Sequence, residues 1–460
     1  MATLRQLVAA AGPADRRILG PGRSARIADL LDGSVLAGSR DAVAGRNVLL
    51  ATGDLVVAAA AVVELDGLAA RIVLCPPDVP ADQMPVIAER AGIEAIVTDG
   101  AGSPVDGIAA PRIETIWPPR PAGPAPEPVA TEWILLTSGT TGVPKLAAYR
   151  LAALVAPVLA RPSPPAPVWG TFYDIRRYGG LQMCLRGLLS SGSLVLTGPS
   201  EPMPDFLERL GREGVTHLAG TPSHWRRALM TPSLSAVRPA YVRLSGEIAD
   251  QAILDALRAA FPGSGLGHAY ASTEAGVVFE VDDGREGFPA SFVGLNAATG
   301  VEVAIVDGSL RIRSPRISSG YVGTPDASLA GPDGFVDTGD IVEARGDRLH
   351  FAGRRGGIIN VGGRKVHPEE VEAVLNGHDG VRVARVEGRK NPIAGAIVVA
   401  SVVPRDPDLL TAGGAGQAAL KGAIVQHCRD VLPPYKVPAM IQFVPDIPMS
   451  PAGKVLRPHA

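Results

Sequence analysis

The sequence has few cysteines and no clustered metal ligands. Its 460 residues include three cysteines, Cys75, Cys184 and Cys428, which lie far apart and form no C-x-x-C pair. A disulfide framework and a zinc site of the usual spacing are therefore not expected, and a reducing compartment is favoured. The eight histidines are scattered, and no two of them have the spacing of metal ligands on a shared face.

Excess charge and long apolar runs are also missing. Lys and Arg total 44 against 46 Asp and Glu, which gives a formal net charge of −2. No basic surplus therefore indicates nucleic acid or an anionic membrane as a partner. The most apolar run, residues 55–65, is too short to span a bilayer, and the first residues lack the apolar core of a signal peptide. We expect a cytoplasmic protein with neither nucleic acid nor membrane as partner.

What the sequence does contain is an alternation of strand-like and helix-like segments. Such alternation predicts βαβ units and a parallel sheet. The strand-like segments are 47–51, 71–75, 94–98, 193–198 and 241–246, and the helix-like ones are 54–65, 81–92 and 205–213. Two proline-rich stretches, 118–128 and 162–167, are predicted to be extended connectors, because each proline restricts its own φ and its predecessor.

The last third of the chain has a different pattern. Residues 295–353 contain short β-rich pieces broken by Gly and Pro, which predicts a small β unit. After residue 356 we expect helix 368–376, strands 381–387 and 395–403, helix 416–431 and strand 439–444. These elements suffice for a small C-terminal α+β domain. The fold class is therefore α/β in a large N-terminal part, followed by a β unit and this small domain.

One loop, 135-LLTSGTTGVPKLAAYR-150, has the composition of a phosphate-binding loop. A Walker A loop fails here, since Pro144 stands where Gly is needed and Leu146 where Ser or Thr is needed. Glycine nevertheless lets backbone N–H groups approach an anion, while hydroxyls and a lysine add donors and charge. By composition alone a plain surface turn is an equal alternative. The candidate residues are Thr137, Ser138, Gly139, Thr140, Thr141, Gly142 and Lys145.

The spacing of this loop resembles a known family. S-G-T-T-G-x-P-K after an apolar strand is similar to the phosphate loop of the adenylate-forming superfamily, which comprises acyl-CoA synthetases, nonribosomal-peptide adenylation domains and luciferases. Further segments resemble that family's motifs in the family's order. They are 241-YVRLSGEIAD-250, 270-YASTE-274, 334-GFVDTGDIV-342, 353-GRRGGIINVGGRKVHPEEVE-372 and 448-PMSPAGKVLR-457. The match is most like an acyl-CoA synthetase and covers roughly residues 130 to 457.

The resemblance implies roles for individual residues on the nucleotide side. Gly246 and Glu247 belong to the adenine-side strand and turn, and Tyr270 packs on adenine. Thr273 contacts the α-phosphate and Glu274 helps to hold Mg²⁺, as a carboxylate near a triphosphate requires a shared cation.

The resemblance also assigns residues on the ribose and on the C-terminal side. Asp340 accepts hydrogen bonds from the ribose hydroxyls, and Arg354 contacts ribose and phosphate. Lys454 is the catalytic lysine, which stabilises charge as it moves from carboxylate to phosphate. Gly356 is the hinge and Gly363 lies on a loop for thioester formation. The implied domains are residues 1–355, which bind AMP, and residues 356–460, which are mobile.

The chain departs from the family pattern in several places. Leu146 follows the loop lysine, where Gly is usual, and we have no sequence-based reason for it. Ala271 replaces a glycine that commonly lines the acyl pocket, so its methyl would narrow that pocket. Asp174 could bind a cationic substrate group or pair with Arg176 or Arg177. We favour the pair, since a lone buried carboxylate is costly.

The histidines of the predicted pocket are assigned structural roles. His217, with His224 and His268, falls in a segment expected to border the pocket. Each is predicted to pack or to form hydrogen bonds, since a carboxylate that is ionised at pH 7 needs no general base.

Together these features predict an AMP-forming acid–thiol ligase. ATP and Mg²⁺ would serve formation of an acyl-adenylate with release of pyrophosphate, and coenzyme A would accept the acyl group. Two alternatives stay open. The acceptor could be the phosphopantetheine of a separate carrier protein, or the chain could be a non-catalytic adenylate-binding relative. The sequence does not identify the carboxylic acid.

Overall fold

The structure is a computed structural model of mixed α/β architecture. The residues that it describes are 2–12, 15–38, 40–101, 105–123, 126–137, 143–162, 164–198, 200–324, 329–391, 395–411, 414–450 and 453–456. Among these residues no helix is both long enough and apolar enough to cross a membrane.

The strands of the described residues fall into four sheets. In chain order they are β1 Arg17–Gly20, β2 Arg23–Arg26, β3 Gly33–Leu36, β4 Asn47–Ala51, β5 Arg71–Leu74, β6 Ala95–Thr98, β7 Arg112–Pro121, β8 Glu132–Thr137, β9 Lys145–Arg150, β10 Val168–Thr171, β11 Ser193–Leu196, β12 His217–Gly220, β13 Tyr241–Ser245, β14 Gly265–Ser272, β15 Gly276–Val281, β16 Phe288–Pro289, β17 Gly294–Asn296, β18 Val301–Val306, β19 Ser309–Arg313, β20 Gly320–Tyr321, β21 Val336–Arg345, β22 Arg348–Arg354, β23 Ile359–Val361, β24 Arg364–Val366, β25 Val381–Asn391, β26 Gly395–Pro404 and β27 Met440–Phe443.

The helices connect and cover these strands. The α-helices are α1 Leu4–Ala10, α2 Ile27–Asp32, α3 Leu55–Leu65, α4 Met84–Ala91, α5 Leu151–Leu159, α6 Tyr178–Leu188, α7 Met203–Arg212, α8 Pro222–Leu229, α9 Gln251–Ala260, α10 Pro368–Asn376, α11 Asp408–Thr411 and α12 Ala415–Val431. Single 3₁₀ turns cover Arg40–Ala42, Ala81–Gln83, Pro232–Ala236, Ala290–Phe292 and Arg355–Gly357.

Two eight-stranded sheets share a central core. Their orders are β15-β14-β13-β12-β10-β11-β1-β2 and β20-β9-β8-β5-β4-β6-β7-β3, and the inner strands are parallel as predicted. Helix α3 packs against β1 of the first sheet and β3 of the second. All eleven of its residues are buried, and Asp54 caps its first turn by accepting from Val56 N and Val57 N. This helix, apolar except for Glu64, therefore belongs between the sheets, where both of its faces meet apolar side chains.

The outer faces of the two sheets are covered by further helices. Helices α7, α8 and α9 bury one apolar cluster against the first sheet, and α4 buries another against the second. Successive side chains of β13 point to opposite faces of the first sheet. Val242 and Leu244 face the α7–α9 layer, whereas Arg243 faces the opposite side of the sheet.

A buried ion network ties the central helices to the first sheet. Glu280 on β15 binds Arg186 of α6 and Arg243 of β13, each at 2.8 Å, and also binds Arg161 beyond α5. Burial raises the pKa of Glu280, but the surrounding guanidiniums outweigh that effect and hold it at about 2. The carboxylate therefore stays ionised among these side chains at neutral pH.

The predicted β unit and C-terminal α+β domain are both present. A six-stranded antiparallel sheet has the order β16-β22-β21-β19-β18-β17, and its apolar side chains form a separate cluster. The Arg355–Gly357 turn separates this sheet from the next one, whose order is β24-β23-β26-β25 with β27 beside β26. That sheet packs against α10 and α12. Pro368 occupies the first turn of α10, as expected for a residue without an N–H donor.

Two sequence interpretations change. The prediction of a connector from residue 118 was wrong at its start, because β7 continues to Pro121 and pairs there with the edge strand β3. Proline is tolerated in this position because the ladder is irregular and lies at the sheet edge.

Leu146, unexplained from the sequence, is 1% exposed on β9 and packs with Leu136 and Ile134 in the outer core of the second sheet. It is a core residue.

Candidate active site

The candidate site lies at one edge of the first sheet, where parallel strands end. In register, Gly220 of β12 pairs with Leu244 of β13, and Ser245 pairs with Ala269 of β14. The chain therefore brings Thr221, Gly246–Glu247 and the end of β14 to the same edge. Ligands of open α/β sheets bind outside the carboxyl ends of strands, which agrees with this placement.

A C-terminal turn reaches this edge and carries Lys454. The Lys454 Nζ lies 3.8 Å from the position that a Cβ of Gly246 would occupy. The turn is closed by hydrogen bonds from Gly453 N to Ser450 O (2.8 Å) and from Ser450 N to Lys454 O (2.7 Å). We call residues 453–455 the tail turn.

The surroundings of Lys454 combine opposite charges. Its side chain keeps solvent contact, yet the protein atoms around it lower its pKa by desolvation. Glu247 and Asp340 act against that lowering, whereas Arg354 and Arg177 reinforce it. The ammonium group thus stands where added negative charge would be stabilised.

A second group of residues, on the β unit and β14, includes two side chains that act electrostatically on Lys454. Asp340 on β21 pairs in register with Arg354 on β22, and its Oδ1 accepts from Arg354 Nε at 2.9 Å. The other carboxylate oxygen accepts from the Tyr270 hydroxyl at 2.5 Å. The Tyr270 ring lies nearly parallel to the rings of Phe279 (5.5 Å) and Phe351 (5.1 Å). The structure therefore brings Tyr270, Asp340 and Arg354 together, and their contacts with ribose and adenine remain predictions.

The phosphate loop is described only at its two ends. Thr137, the buried last residue of β8, pairs in register with Lys145, the first residue of β9. Ser138, Gly139, Thr140, Thr141 and Gly142 lie outside the described residues. The loop therefore spans the end of a β8–β9 hairpin, as the apolar strand before it indicated.

Two tyrosines that the sequence reasoning missed contact residues of the predicted phosphate site. The Lys145 Nζ lies 5.0 Å from the Tyr321 ring centroid, and the Tyr321 hydroxyl donates to Glu274 Oε1 at 3.2 Å. The Tyr149 hydroxyl donates to the backbone oxygen of Thr273 at 2.5 Å. Burial and the Glu274 carboxylate both raise the pKa of Tyr321, which therefore stays a hydrogen-bond donor.

The metal prediction rests on a single carboxylate. No group of three or more His, Cys, Asp or Glu with metal-binding geometry occurs among the described residues. Mg²⁺ does not need one, because it is commonly held by one or two carboxylates together with substrate phosphates and water. Glu274, half-buried and held at one oxygen by Tyr321, fits such a site.

The pocket residues named from the sequence have different outcomes. Asp174 forms the internal pair that the sequence favoured: Arg176 donates from Nε to one carboxylate oxygen and from Nη2 to the other, each at 2.8 Å. Arg177 pairs instead with Asp78 at 2.5 Å. Ala271 lies on β14 and packs, partly buried, against the central core. The Arg176 guanidinium thus balances the charge of the Asp174 carboxylate.

The placement of His217 at the pocket was wrong. His217 begins β12 and pairs in register with Tyr241, the first residue of β13, so it lies at the amino edge of the parallel strands. Its ring packs against Trp169 at 4.8 Å, and burial lowers its pKa. The next histidine along the chain, His224, follows β12 and lies at the carboxyl edge of the parallel strands. The sequence could not distinguish the two, because strand direction and register decide which end faces the cleft.

The predicted hinge and loop glycines lie in exposed turns. Gly356 is in the Arg355–Gly357 turn, and a Cβ added there would meet nothing within 4 Å. Gly363 has φ +81° in the tight turn between β23 and β24, a conformation that favours glycine. Their roles in domain movement and thioester formation remain predictions.

Comparison with known proteins identifies the family. The profile of the AMP-binding enzyme family matches residues 23–322, and that of the AMP-binding enzyme C-terminal domain matches residues 370–454. An isonitrile lipopeptide synthase of Streptomyces coeruleorubidus is 32% identical over 276 residues, which are 56% of this chain and 18% of the relative. A long-chain-fatty-acid–CoA ligase of Salmonella typhimurium is 27% identical over 361 residues, 72% of this chain and 62% of the ligase.

The chain thus spans less than two thirds of the length of both relatives. Among solved structures, the anthranilate CoA ligase AuaEII with anthranoyl-AMP superposes with a TM-score of 0.80 at 18% identity, covering 99% of this chain and 95% of that one. ATP-bound MatB from Rhodopseudomonas palustris gives 0.78 at 21% identity, covering 99% and 97%. These similarities confirm the fold. By the match of its sequence over residues 23–322, this chain belongs to the AMP-binding enzyme family.

Proposed function

We propose that this chain is an AMP-forming ligase, which activates a carboxylic acid with ATP and transfers the acyl group to a thiol. The observation that carries the proposal is the position of Lys454, which the tail turn brings beside Gly246 and within electrostatic range of the Asp340–Arg354 pair. Family membership and two relatives with CoA ligase and lipopeptide synthase names support the same chemistry.

In the first half-reaction a carboxylate oxygen attacks the α-phosphorus of ATP. A bond forms between that oxygen and phosphorus, the bond to the β,γ-phosphate breaks, and pyrophosphate leaves with its electron pair. Lys454 would stabilise the charge on the oxygens around the α-phosphorus. Lys145, with Thr137 and the loop that follows it, would hold the leaving pyrophosphate. Mg²⁺, when bound near Glu274, would neutralise phosphate charge.

The nucleoside would be held by residues of the β unit and β14. A carboxylate has about four acceptor sites, so Asp340 can accept two ribose hydroxyls while it keeps Arg354 and Tyr270. Gly246 would lie against the adenine side, and Thr273 would contact the α-phosphate. Holding both reactants in one cleft converts their encounter into an oriented, unimolecular step.

In the second half-reaction the thiol sulfur attacks the acyl carbonyl, AMP leaves, and the thiol proton passes to solvent. We infer that residues 356–460 rotate about Gly356 for this step, so that Lys454 withdraws and the turn at Gly363 approaches. The change of sheet across Arg355–Gly357 supports a boundary between 355 and 356. Coenzyme A is the proposed acceptor, and three buried free cysteines are compatible with a cytoplasmic enzyme.

Lys454→Ala tests the proposal, with Lys421→Ala on the exposed face of α12 as the matched control. Wild type and Lys421→Ala should catalyse ATP–pyrophosphate exchange with at least one acid from a panel of short acyl, fatty, aryl and amino acids. Lys454→Ala should lose exchange by roughly 10²- to 10³-fold, as for removal of one stabilising group from a transition state. It should retain thiolysis of preformed acyl-adenylate. Equal loss of both activities would refute the role of Lys454.

A separate carrier protein is the second candidate acceptor. The observation in its favour is the 32% identity to an isonitrile lipopeptide synthase. Thioester formation should be compared on free coenzyme A and on phosphopantetheinylated carrier proteins with the same acid. Faster loading of a carrier would favour this candidate. If no acid in the panel supports exchange, the non-catalytic, adenylate-binding alternative replaces both.

A further inference from the structure

The tail turn is held by a specific set of contacts on the large domain. Thr221 Oγ1 donates to Gly453 O at 2.5 Å, and Glu247 Oε1 accepts from Val455 N at 3.0 Å. These two bonds flank Lys454 on either side in sequence. Gly453 packs so closely on the His224 imidazole that a Cβ in its place would overlap the ring. We call Thr221, His224 and Glu247 the tail seat.

The first turn of α8 supports this seat. Thr221 caps α8, its Oγ1 accepting from His224 N at 3.0 Å, while His224 Nδ1 accepts from Thr221 N at 3.2 Å. Glu247 accepts from Ser223 N at 2.9 Å and from Ser223 Oγ at 3.0 Å. A carboxylate is stabilised at the start of a helix, where N–H groups are unpaired and the dipole is positive. Thr221 and Glu247 are therefore held by contacts with the first turn of α8 that do not involve the tail turn.

His224 fits this arrangement only as the neutral imidazole. Burial, with Arg227 nearby, lowers its pKa to about 3. With Nδ1 accepting from Thr221 N, the ring proton is assigned to Nε2. The ring stacks on Phe172 at 5.6 Å and meets Tyr173 edge-on at 5.8 Å. It therefore forms a rigid wall for Gly453 across the physiological pH range.

From these contacts we propose that Glu247 is a positioning residue, which seats the tail turn and so places Lys454 for the first half-reaction. This inference rests on the proposed function and assigns to Glu247 a role different from the nucleotide contact that the sequence resemblance implied. The carboxylate is occupied by Ser223 and Val455, and it faces the backbone of the turn that bears the lysine. Its bonds to Ser223 can persist when the tail turn leaves, so the second half-reaction does not need it.

The same carboxylate also acts on the charge of Lys454. The groups that influence the Lys454 ammonium are Glu247 and Asp340, which raise its pKa, and Arg354 and Arg177, which lower it. Without the Glu247 charge, the largest contribution that opposes desolvation and the two guanidiniums is lost. The pKa of Lys454 should then fall, and the ammonium should be lost at a lower pH.

Glu247→Gln and Glu247→Ala test the proposal, with Glu302→Gln, a half-buried surface partner of Arg313, as the matched control. Glutamine keeps one acceptor but places an amide N–H₂ against Ser223, and alanine keeps none. ATP–pyrophosphate exchange should fall roughly tenfold or more in Glu247→Ala and less in Glu247→Gln, as for loss of hydrogen bonds to a charged group. The alkaline limb of the Glu247→Gln exchange profile should move to lower pH, while thiolysis of preformed acyl-adenylate and the control stay at wild-type rates.

A measurement independent of catalysis separates this inference from the proposed function. Hydrogen–deuterium exchange of the 453–456 segment, with ATP and magnesium present, should show protection in wild type and Glu302→Gln that is lost in Glu247→Ala. This result stands even if no acid is activated. The inference is overturned if the segment is unprotected in wild type or equally protected in all variants. A raised KM for ATP with unchanged protection would restore the nucleotide role of Glu247 and overturn the seating role.

Discussion

Gly453 is one of the points at which the tail turn meets the large domain, and its replacement by alanine tests docking separately from chemistry. Gly453 has φ +70°, and an added Cβ would overlap the His224 imidazole. That ring cannot move freely, because it stacks on Phe172, meets Tyr173 edge-on and accepts a hydrogen bond from Thr221 N. Alanine therefore meets two obstacles, one from its own backbone and one from the ring.

The cost of Gly453→Ala can be worked out from these two obstacles. A left-handed backbone costs an L-residue about 1–2 kcal/mol, which corresponds to roughly a 5- to 30-fold loss of docked tail. The overlap with His224 adds to this, since either the ring or the turn must move. ATP–pyrophosphate exchange should fall at least about tenfold, whereas thiolysis of preformed acyl-adenylate should stay unchanged. Gly422→Ala on α12, where an added Cβ meets nothing within 4 Å, is the matched control.

A double-mutant cycle with His224→Ala provides the decisive assay. Removing the ring abolishes the overlap but leaves the backbone cost, so Gly453→Ala should reduce exchange less in the His224→Ala background than in wild type. Equal losses in both backgrounds would show that the ring is not the obstacle. An exchange rate unchanged by Gly453→Ala would refute docking of the tail turn as the requirement for the first half-reaction.

Three further substitutions test the interpretation of individual side chains. Leu146→Ala should lower the free energy of unfolding in urea by about 2–5 kcal/mol, as for other buried leucines, whereas Leu159→Ala, at a residue 58% exposed, should change it little. The pKa of Glu280 is about 2 when folded, below its ordinary 4.5, so its stabilisation is present above about pH 4.5 and lost as pH falls through about 2. The difference in free energy of unfolding between wild type and Glu280→Gln should therefore be largest at pH 7 and should decrease as the pH falls through that acid range. A difference that does not depend on pH would contradict the ion network. Asp174→Ala should lower stability by about 3–5 kcal/mol, because Arg176 is left buried without its partner, and should leave the preference among acids unchanged; a shift toward acids without an amino group would restore a substrate role.

The local elements followed from the sequence because their signals are short-range. Asp54 before an apolar run predicted the start of α3, and Pro368 predicted the start of α10, since caps and first-turn prolines act through neighbouring backbone groups. The pair of Asp174 with Arg176 is similarly local, two residues apart. The proline-rich stretch at 118–121 was mispredicted because pairing with β3, some 85 residues earlier, outweighs the local preference.

The sequence by itself determined the order of motifs, the alternation of strands and helices, and the residue types available to an adenylating site. Only the tertiary structure decided which of them meet. It placed His217 at the amino edge of β12 and His224 at the carboxyl edge, and it brought Glu247 to Val455 across 208 residues. The physical reason is that caps, turns and amphipathic periods depend on neighbours in the chain. Which side chains from distant segments come into contact depends instead on strand register and on the packing of separate sheets, and no local pattern specifies these.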